Sequence, residues 1–166
     1  MTETQPNGRT NIHGTGLVVD GIGILLRGPS GAGKSLLALE LLDRQSLFGK
    51  PVQLVADDRV DIALERGKLV MHAPQTIEGL IELRGRGIVR RPFTARAPLH
   101  LVVDLVDELV RMVEEDALTT DLLGVTLARC PVPRRGVIDA PHQLLLVTEA
   151  LQEVRPPGAA RRQKIT

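Results

Sequence analysis

The chain of 166 residues has no tryptophan, no tyrosine and only two phenylalanines, Phe48 and Phe93. Its core must therefore consist mainly of Leu, Val, Ile and Ala, and the aromatic platforms on which nucleobases stack are missing. The chain has 21 Lys and Arg residues and 20 Asp and Glu residues, which gives a net charge of +1. This balance gives no electrostatic reason for nucleic-acid binding. We therefore expect no nucleic-acid partner.

Disulfide and targeting signals are also missing. The single cysteine, Cys130, cannot form an internal disulfide, as is typical of proteins in a reducing compartment. The first residues, MTETQPNGRTN, contain no apolar segment of the kind found in signal peptides, and no apolar run reaches about 18 residues. These features predict a cytoplasmic protein with no membrane partner.

The length predicts one domain with a single core. Residues 1–10 are polar and are predicted to be a flexible tail. Residues 155–166, RPPGAARRQKIT, are predicted to be a second flexible tail, because the Pro-Pro-Gly run ends any preceding helix. The ordered domain is expected to span residues 11–154.

Three of the 16 glycines lie in one informative stretch, GPSGAGKS at residues 28–35. An apolar run precedes it and LLALELL follows it, which predicts a strand, a phosphate-binding loop (P-loop) and a helix. Backbone N–H groups of such a loop and the following helix N-terminus bind phosphate. A glycine-rich turn without a ligand is the alternative. The predicted phosphate-binding residues are Gly28, Pro29, Ser30, Gly31, Ala32, Gly33, Lys34 and Ser35.

Two of these side chains have a specific expected role. Lys34 should bridge the β- and γ-phosphates of a nucleotide, and the Ser35 hydroxyl should bind Mg²⁺. Phosphoryl transfer to a hydroxyl also needs further metal ligands and a group that accepts the hydroxyl proton. The acidic pair Asp57-Asp58, directly after an apolar strand, supplies candidates, although such pairs also occur as solvated loops or helix caps.

Apolar patterns predict the remaining elements. The predicted helices and strands are a hairpin of 17–19 and 22–26 around Asp20-Gly21, a helix at 35–44, a strand at 52–56, a hairpin of 60–64 and 69–72 around Arg66-Gly67, strands at 99–106 and 125–128, and a helix at 141–154. Residues 76–90 receive no assignment because glycines interrupt the pattern.

Four stretches together resemble one known family. They are His13-Gly14, GPSGAGKSLLALELL at 28–42, LVADDRVDI at 54–62 and IELRGRGIVR at 81–90. In this order they are similar to the C-terminal catalytic domain of bacterial HPr kinase/phosphorylase, over about half of the chain. The resemblance implies an α/β fold in which helices flank a mixed, P-loop-containing sheet. It also implies an ATP-dependent, Mg²⁺-requiring serine kinase that acts on the phosphocarrier protein HPr, with reverse phosphorolysis, and a hexamer of catalytic domains.

The resemblance also implies roles for individual residues. His13 would lie near the reacting phosphate and Lys34 would contact it. Ser35 and Glu82 would be the Mg²⁺ ligands. One carboxylate of the acidic pair would accept the serine proton; we assign this role to Asp58 and assign Asp57 to orienting the site. From the residues alone, His13 and Glu82 fit equally well as structural side chains.

The sequence departs from the family pattern in three places. Only about ten residues precede His13-Gly14, so we expect the regulatory domain of longer members to be missing. Five or six extra residues at 45–51 predict an altered loop. Near the C-terminus, two family arginines are replaced within 121–124 (DLLG) and 137–143 (VIDAPHQ). The second region is tied in the family to dephosphorylation, so kinase activity is the firmer expectation. Candidates to replace the arginines are Arg129, Arg134 and Arg135.

Two other functions use the same phosphate cradle. A small-molecule P-loop kinase would need a lid or acceptor pocket, and no arginine-rich lid is evident in the sequence. A nucleotide-sensing module without catalysis is favoured by the replaced arginines.

Overall fold

The computed structural model describes residues 3–44 and 51–155. The helices are α1 (Lys34–Leu42) and α2 (Ala140–Val154), with short 3₁₀ turns at Gln75–Ile77 and Glu115–Leu118. The strands are β1 (Glu3–Thr4), β2 (Thr10–His13), β3 (Thr15–Val19), β4 (Ile22–Arg27), β5 (Val52–Ala56), β6 (Arg59–Glu65), β7 (Lys68–His72), β8 (Leu80–Leu83), β9 (Gly87–Arg90), β10 (Arg96–Pro98), β11 (Leu101–Val106), β12 (Thr119–Leu122) and β13 (Val125–Pro133).

The strands form three sheets. A six-stranded mixed sheet has the order β12-β13-β11-β4-β3-β5, and its strands β4, β11 and β13 are parallel neighbours. A five-stranded antiparallel sheet has the order β1-β2-β6-β7-β10, and β8 and β9 form a separate hairpin. This architecture confirms the expected α/β fold with a mixed sheet and flanking helices.

Two hydrophobic clusters cover the two faces of the six-stranded sheet. In β4, Ile24 and Leu26 belong to the cluster with α1 and α2, whereas Leu25 belongs to the cluster with β6 and β7 of the other sheet. In β11, Val103 belongs to the cluster with α1 and α2, and Val102 belongs to the cluster with β6 and β7. Central strands buried on both faces read as continuous apolar runs, because both side-chain directions meet a core. The six-stranded sheet is thus the middle layer of the fold.

Both predicted hairpins are confirmed. Asp20 and Gly21 have φ angles of 51° and 81° between β3 and β4, and Arg66 and Gly67 have φ angles of 52° and 77° between β6 and β7. Two consecutive residues at positive φ are typical of the turns whose twist matches that of paired strands. The strand at 52–56 is also confirmed, as β5.

Several boundaries and elements differ from the prediction. Residues 76–90, which received no assignment, contain the hairpin of β8 and β9. The edge strands β10 and β12 were not predicted, and both are only three or four residues long. Residues 3–4 and 10–11, which fall largely in the predicted N-terminal tail, pair as β1 and β2. Short edge strands bury few side chains, so their apolar alternation is weak.

Two sequence expectations lie outside the described residues. These are the altered loop, of which residues 45–50 are not described, and the C-terminal tail from residue 156 onward. Within residues 3–44 and 51–155, no helix is long and apolar enough to cross a membrane.

A network of ion pairs ties the parallel strands together. Asp104 of β11 accepts hydrogen bonds from Arg27 Nε and Nη2 at 2.7 and 2.8 Å, and from Arg129 Nε at 2.6 Å. Arg129 also donates to the carbonyl oxygen of Ala117 at 3.0 Å. Arg27 is the last residue of β4, directly before the glycine loop. The network therefore fixes the strand end from which that loop departs.

Asp104 provides a test of this network by pH. Burial alone would raise the pKa of Asp104, but hydrogen bonds from Arg27 and Arg129 outweigh burial and lower it. A lowered pKa contributes stability above the usual aspartate range, near pH 4, that is lost as the pH falls through the folded-state value. We expect Asp104→Asn to lower the free energy of unfolding at pH 7 by about 2 kcal/mol. The variant should also lose less stability than the wild type on acidification below pH 5.

Urea denaturation at several pH values measures both effects. The control is Asp107→Asn, because Asp107 pairs with Arg134 through a side chain that is 80% exposed. Parallel pH profiles for the wild type and Asp104→Asn would contradict the assigned role.

Candidate active site

The predicted site residues meet at one edge of the six-stranded sheet. Strands β4, β5, β11 and β13 all run toward this edge, since β3 is antiparallel to both β4 and β5. The glycine loop leaves β4 here and the acidic pair leaves β5. Carboxyl ends of neighbouring strands are where open α/β sheets bind ligands.

The glycine loop leads into a helix whose first turn has no side-chain cap. Gly33, at the N-cap of α1, has φ 95° and makes no capping side-chain hydrogen bond, and the first turn contains no acidic residue. The first N–H groups of α1 and its positive dipole end therefore suit an anion. The left-handed conformation at Gly33 favours glycine, which explains this part of the motif.

Lys34 is the first residue of α1 and lies beneath the loop. Its Nζ atom donates to the carbonyl oxygens of Gly28 at 2.7 Å and Pro29 at 3.1 Å. Burial lowers the pKa of the Lys34 ammonium, and the carboxylates of Asp58 and Asp57 partly oppose this shift. The geometry holds a cation next to the loop, with two carboxylates close enough to influence it.

Asp57 is buried and joins three elements. Its Oδ1 atom accepts hydrogen bonds from Ser35 Oγ at 2.7 Å and from Thr15 Oγ1 at 2.9 Å. Its Oδ2 atom accepts from the backbone N–H of Glu82 at 3.2 Å. A carboxylate with three donors is held in one orientation. Asp57 therefore fixes β3, the start of α1 and β8 relative to one another.

Asp58 points away from Asp57, toward solvent and His13. Its Oδ1 atom lies 3.0 Å from His13 Nε2, and the two side chains are 72% and 41% exposed, respectively. Asp58 has φ 67°, a left-handed conformation that asparagine and aspartate tolerate better than most residues. The backbone of Gly14 also donates to the carbonyl oxygen of Asp58 at 3.1 Å. One carboxylate of the pair is thus structural and buried, and the other is accessible.

Oxygen atoms next to Asp57, those of Ser35 and Glu82, suit Mg²⁺. Ser35 Oγ and Asp57 Oδ1 are 2.7 Å apart, and the exposed side chain of Glu82 lines the same cleft. Among the described residues, no group of three or more His, Cys, Asp or Glu side chains forms a ready-made metal cage. Mg²⁺ usually binds one or two carboxylates and completes its shell with water and substrate phosphates. Hydroxyl and carboxylate oxygens at the P-loop fit that pattern.

A cleft of about 750 Å³ connects these groups. Its walls include the glycine loop, residues 57–59, one face of the β8–β9 hairpin and, from beyond β13, Arg135. Several residues that line the cleft were not predicted from the sequence, among them Thr15, Arg84 and Ile88. Thr15 could have been suspected as a polar residue opening an apolar strand, whereas the position of Ile88 depends on a hairpin that the sequence did not reveal.

The three arginines considered as replacements occupy different places. Arg129 and Arg134 pair with Asp104 and Asp107 outside the cleft. Of these three candidates, Arg135 is the one that lines the cleft. Its buried Nη2 atom has no hydrogen-bond partner among the described residues, and Glu40 Oε1 lies 3.8 Å away.

Comparison with known proteins assigns the family. The family described as "HPr Serine kinase C-terminal domain" matches residues 5–137 of the chain. The chain belongs to this family. The match includes His13, the glycine loop, the acidic pair and the β8–β9 hairpin, and it confirms the resemblance stated from the sequence.

Two relatives in this family are longer than the chain. The HPr kinase/phosphorylase of Clostridium tetani is 36% identical over 137 residues, which are 76% of this chain and 43% of the relative. The HPr kinase/phosphorylase of Bordetella pertussis is 36% identical over 133 residues, covering 72% and 41%. The chain thus spans less than half the length of these relatives.

A solved member of the HPr kinase family shares the fold. The HPr(Ser) kinase/phosphatase of Coxiella burnetii superposes with a TM-score of 0.68 at 27% identity. The match covers 86% of this chain and 92% of that one.

The different surroundings of the two aspartates can be tested by stability. We expect Asp57→Asn to lower the free energy of unfolding by about 1–3 kcal/mol, because its amide nitrogen would face one of the three donors now bound by the carboxylate. Asp58→Asn is the matched control and should leave stability unchanged, since Asp58 is exposed and asparagine accepts its φ angle. Thermal and urea unfolding of both variants measure the difference. Equal losses would contradict this account.

Proposed function

We propose that the chain is an ATP-dependent serine protein kinase that phosphorylates HPr. The observation that carries the proposal is the arrangement of an uncapped helix N-terminus, Lys34 and the Ser35–Asp57 pair in one cleft with the accessible carboxylate of Asp58. These groups provide phosphate binding, charge neutralisation and a proton acceptor, which are the requirements of phosphoryl transfer. Family membership supports HPr as the acceptor.

In this proposal the glycine loop and Lys34 bind the terminal phosphates of ATP. Asp58 accepts the proton of the acceptor serine hydroxyl, and His13, 3.0 Å from the carboxylate, holds Asp58 in position. The serine oxygen forms a bond to the γ-phosphorus while the bond from that phosphorus to the ADP oxygen breaks. The proton remains on Asp58 until solvent removes it, so atoms and charge balance.

Mg²⁺ would be held by Ser35 and Glu82, with Asp57 orienting Ser35 from its buried position, and would neutralise charge on the phosphates. Asp57 fits an orienting role because both of its oxygen atoms already accept hydrogen bonds from the protein. Glu82 fits the metal role because its side chain is exposed at the cleft, while its backbone N–H contacts Asp57.

The reverse reaction uses the same groups. An oxygen of inorganic phosphate would form a bond to the phosphoserine phosphorus while the bond from that phosphorus to the serine oxygen breaks, which releases pyrophosphate. Asp58, having taken up a proton from the incoming phosphate or from solvent, would give it to the serine oxygen. Two further expectations stay predictions: a hexamer, from the family resemblance, and a cytoplasmic location, from the missing disulfide and targeting signals.

Asp58 provides the direct test of the kinase. With Mg-ATP labelled at the γ-phosphate, we expect label on a serine of HPr, and we expect Asp58→Asn to lower kcat by about 10²–10⁴-fold because the proton acceptor is removed. ATP affinity should change little. Mass spectrometry of HPr and single-turnover kinetics measure both quantities, and the reverse reaction is followed from phospho-HPr with inorganic phosphate.

Other outcomes separate the alternative functions. Label that enters only a metabolite would identify a small-molecule kinase. ATP binding without any phosphoserine, unaffected by Asp58→Asn, would identify a nucleotide-sensing module.

Arg135 is proposed to contact nucleotide phosphate in place of the arginines missing from the family pattern. Arg135 lines the cleft, and its Nη2 atom, which has only the ion pair with Glu40 at 3.8 Å, makes no hydrogen bond within the described part of the chain, which supports this role. We expect Arg135→Gln to weaken ATP binding roughly tenfold, because a charge-assisted hydrogen bond is lost. Calorimetric titration with Mg-ATP measures the effect, and Arg134→Gln, outside the cleft, is the matched control. Equal affinities for both variants would refute the contact.

A further inference from the structure

The β8–β9 hairpin presents one face to the core and the other to the mouth of the cleft. Ile81 pairs with Val89, and both pack in the cluster with α1. Glu82 pairs with Ile88 on the opposite face, since side chains alternate along a strand. The next pair on that face is Leu80 with Arg90. The outward face is therefore a continuation of the cleft wall.

Three arginines of this hairpin are free of partners within the described part of the chain. Arg84, Arg86 and Arg90 are exposed, and no hydrogen bond or ion pair joins their guanidinium groups to residues 3–44 or 51–155. The neighbouring Arg91 differs, because it makes two hydrogen bonds to Asp43 at 2.7 and 2.9 Å. The hairpin thus concentrates three unpaired positive charges.

An exposed aliphatic side chain lies among these charges. Ile88 is 65% exposed and lines the cleft together with Arg84. Arg86 and Arg90 do not line the cleft, so a nucleotide inside it does not account for them. Ile88 thus has Glu82, assigned to Mg²⁺, opposite it on the cleft side and the unpaired cations Arg86 and Arg90 two residues away on either side along the chain. An apolar contact flanked by these cations, next to the site of transfer, suits a macromolecule that carries an apolar side chain and carboxylates.

We propose that Arg86, Arg90 and Ile88 form a docking surface for the acceptor protein, and that the acceptor presents carboxylates beside the serine that is phosphorylated. This inference rests on the proposed kinase function. A protein acceptor fits better than nucleic acid, because the apolar contact is aliphatic and the chain as a whole is nearly neutral. Complementary charge would speed encounter and orient the serine toward Asp58.

Charge reversal tests the docking surface. The variant Arg86→Glu/Arg90→Glu should raise the KM for HPr by about five- to tenfold at low ionic strength, with kcat and ATP affinity within about twofold of the wild type. Raising the salt concentration should increase the wild-type KM more than that of the variant, because salt screens exposed charges. Steady-state phosphotransfer to HPr measures KM and kcat, and calorimetry measures ATP binding.

The matched control is Arg66→Glu/Lys68→Glu at the β6–β7 turn, on the five-stranded sheet and away from the cleft. It produces the same change in net charge and should leave the KM for HPr unchanged. Equal KM values for the hairpin variant and the wild type, or equal increases in both double variants, would overturn the docking surface. Two other results would also overturn it. A change in the mass of the hairpin variant measured by light scattering would assign the arginines to contacts between copies of the chain. A loss of oligonucleotide binding with no change in the KM for HPr would assign them to nucleic acid.

Failure of the kinase proposal is visible separately. The wild type would then leave HPr unlabelled, and both proposals would fall. If the wild type labels HPr and the hairpin variant behaves identically, only the docking surface is wrong.

Discussion

The buried carboxylate of Asp57 is the constraint on which the site depends. It receives hydrogen bonds from Thr15 of β3, Ser35 of α1 and the backbone of Glu82 in β8. These elements are far apart in sequence, and each carries or adjoins a group that faces the cleft. A hydrogen bond to a charged group is stronger than one between neutral groups, so this junction sets the distance between the phosphate loop and the hairpin. The ion pairs of Asp104 support the same edge of the sheet, because they hold Arg27 at the end of β4.

Local sequence was sufficient where a few adjacent residues determine the backbone. Asp20-Gly21 and Arg66-Gly67 predicted both hairpin turns, and the GPSGAGKS stretch predicted the passage from β4 to α1. Local sequence was insufficient where contacts between residues far apart in the chain determine the conformation. The β8–β9 hairpin has one glycine, Gly85, within its turn and another, Gly87, at the start of β9, and its position comes from Ile81 and Val89 packing in the core. That packing is not visible in the local pattern.

The same distinction applies within the site. Alternation along a strand indicated that the carboxylates of the acidic pair point in different directions, and the structure has one buried and one exposed. The hydroxyl groups of Thr15 and Ser35 decide which of the two aspartates is buried, because they donate hydrogen bonds to Asp57 and not to Asp58. Arg135 could not be distinguished from Arg134 by sequence, because their difference arises from the turn between β13 and α2. Family membership, in contrast, was already evident in the order of four short motifs.

The positive φ angle of Asp58 restricts what evolution can place at this position. Glutamate carries the same charge and could accept the same proton, but its longer side chain cannot bond to its own backbone in the way that stabilises aspartate and asparagine in the left-handed region. A β-branched residue would be more strained still. The backbone turn that directs the carboxylate toward His13 therefore also limits which residues fit at position 58. Aspartate, asparagine and glycine tolerate its φ angle best, and of these three only aspartate has an ionisable side chain.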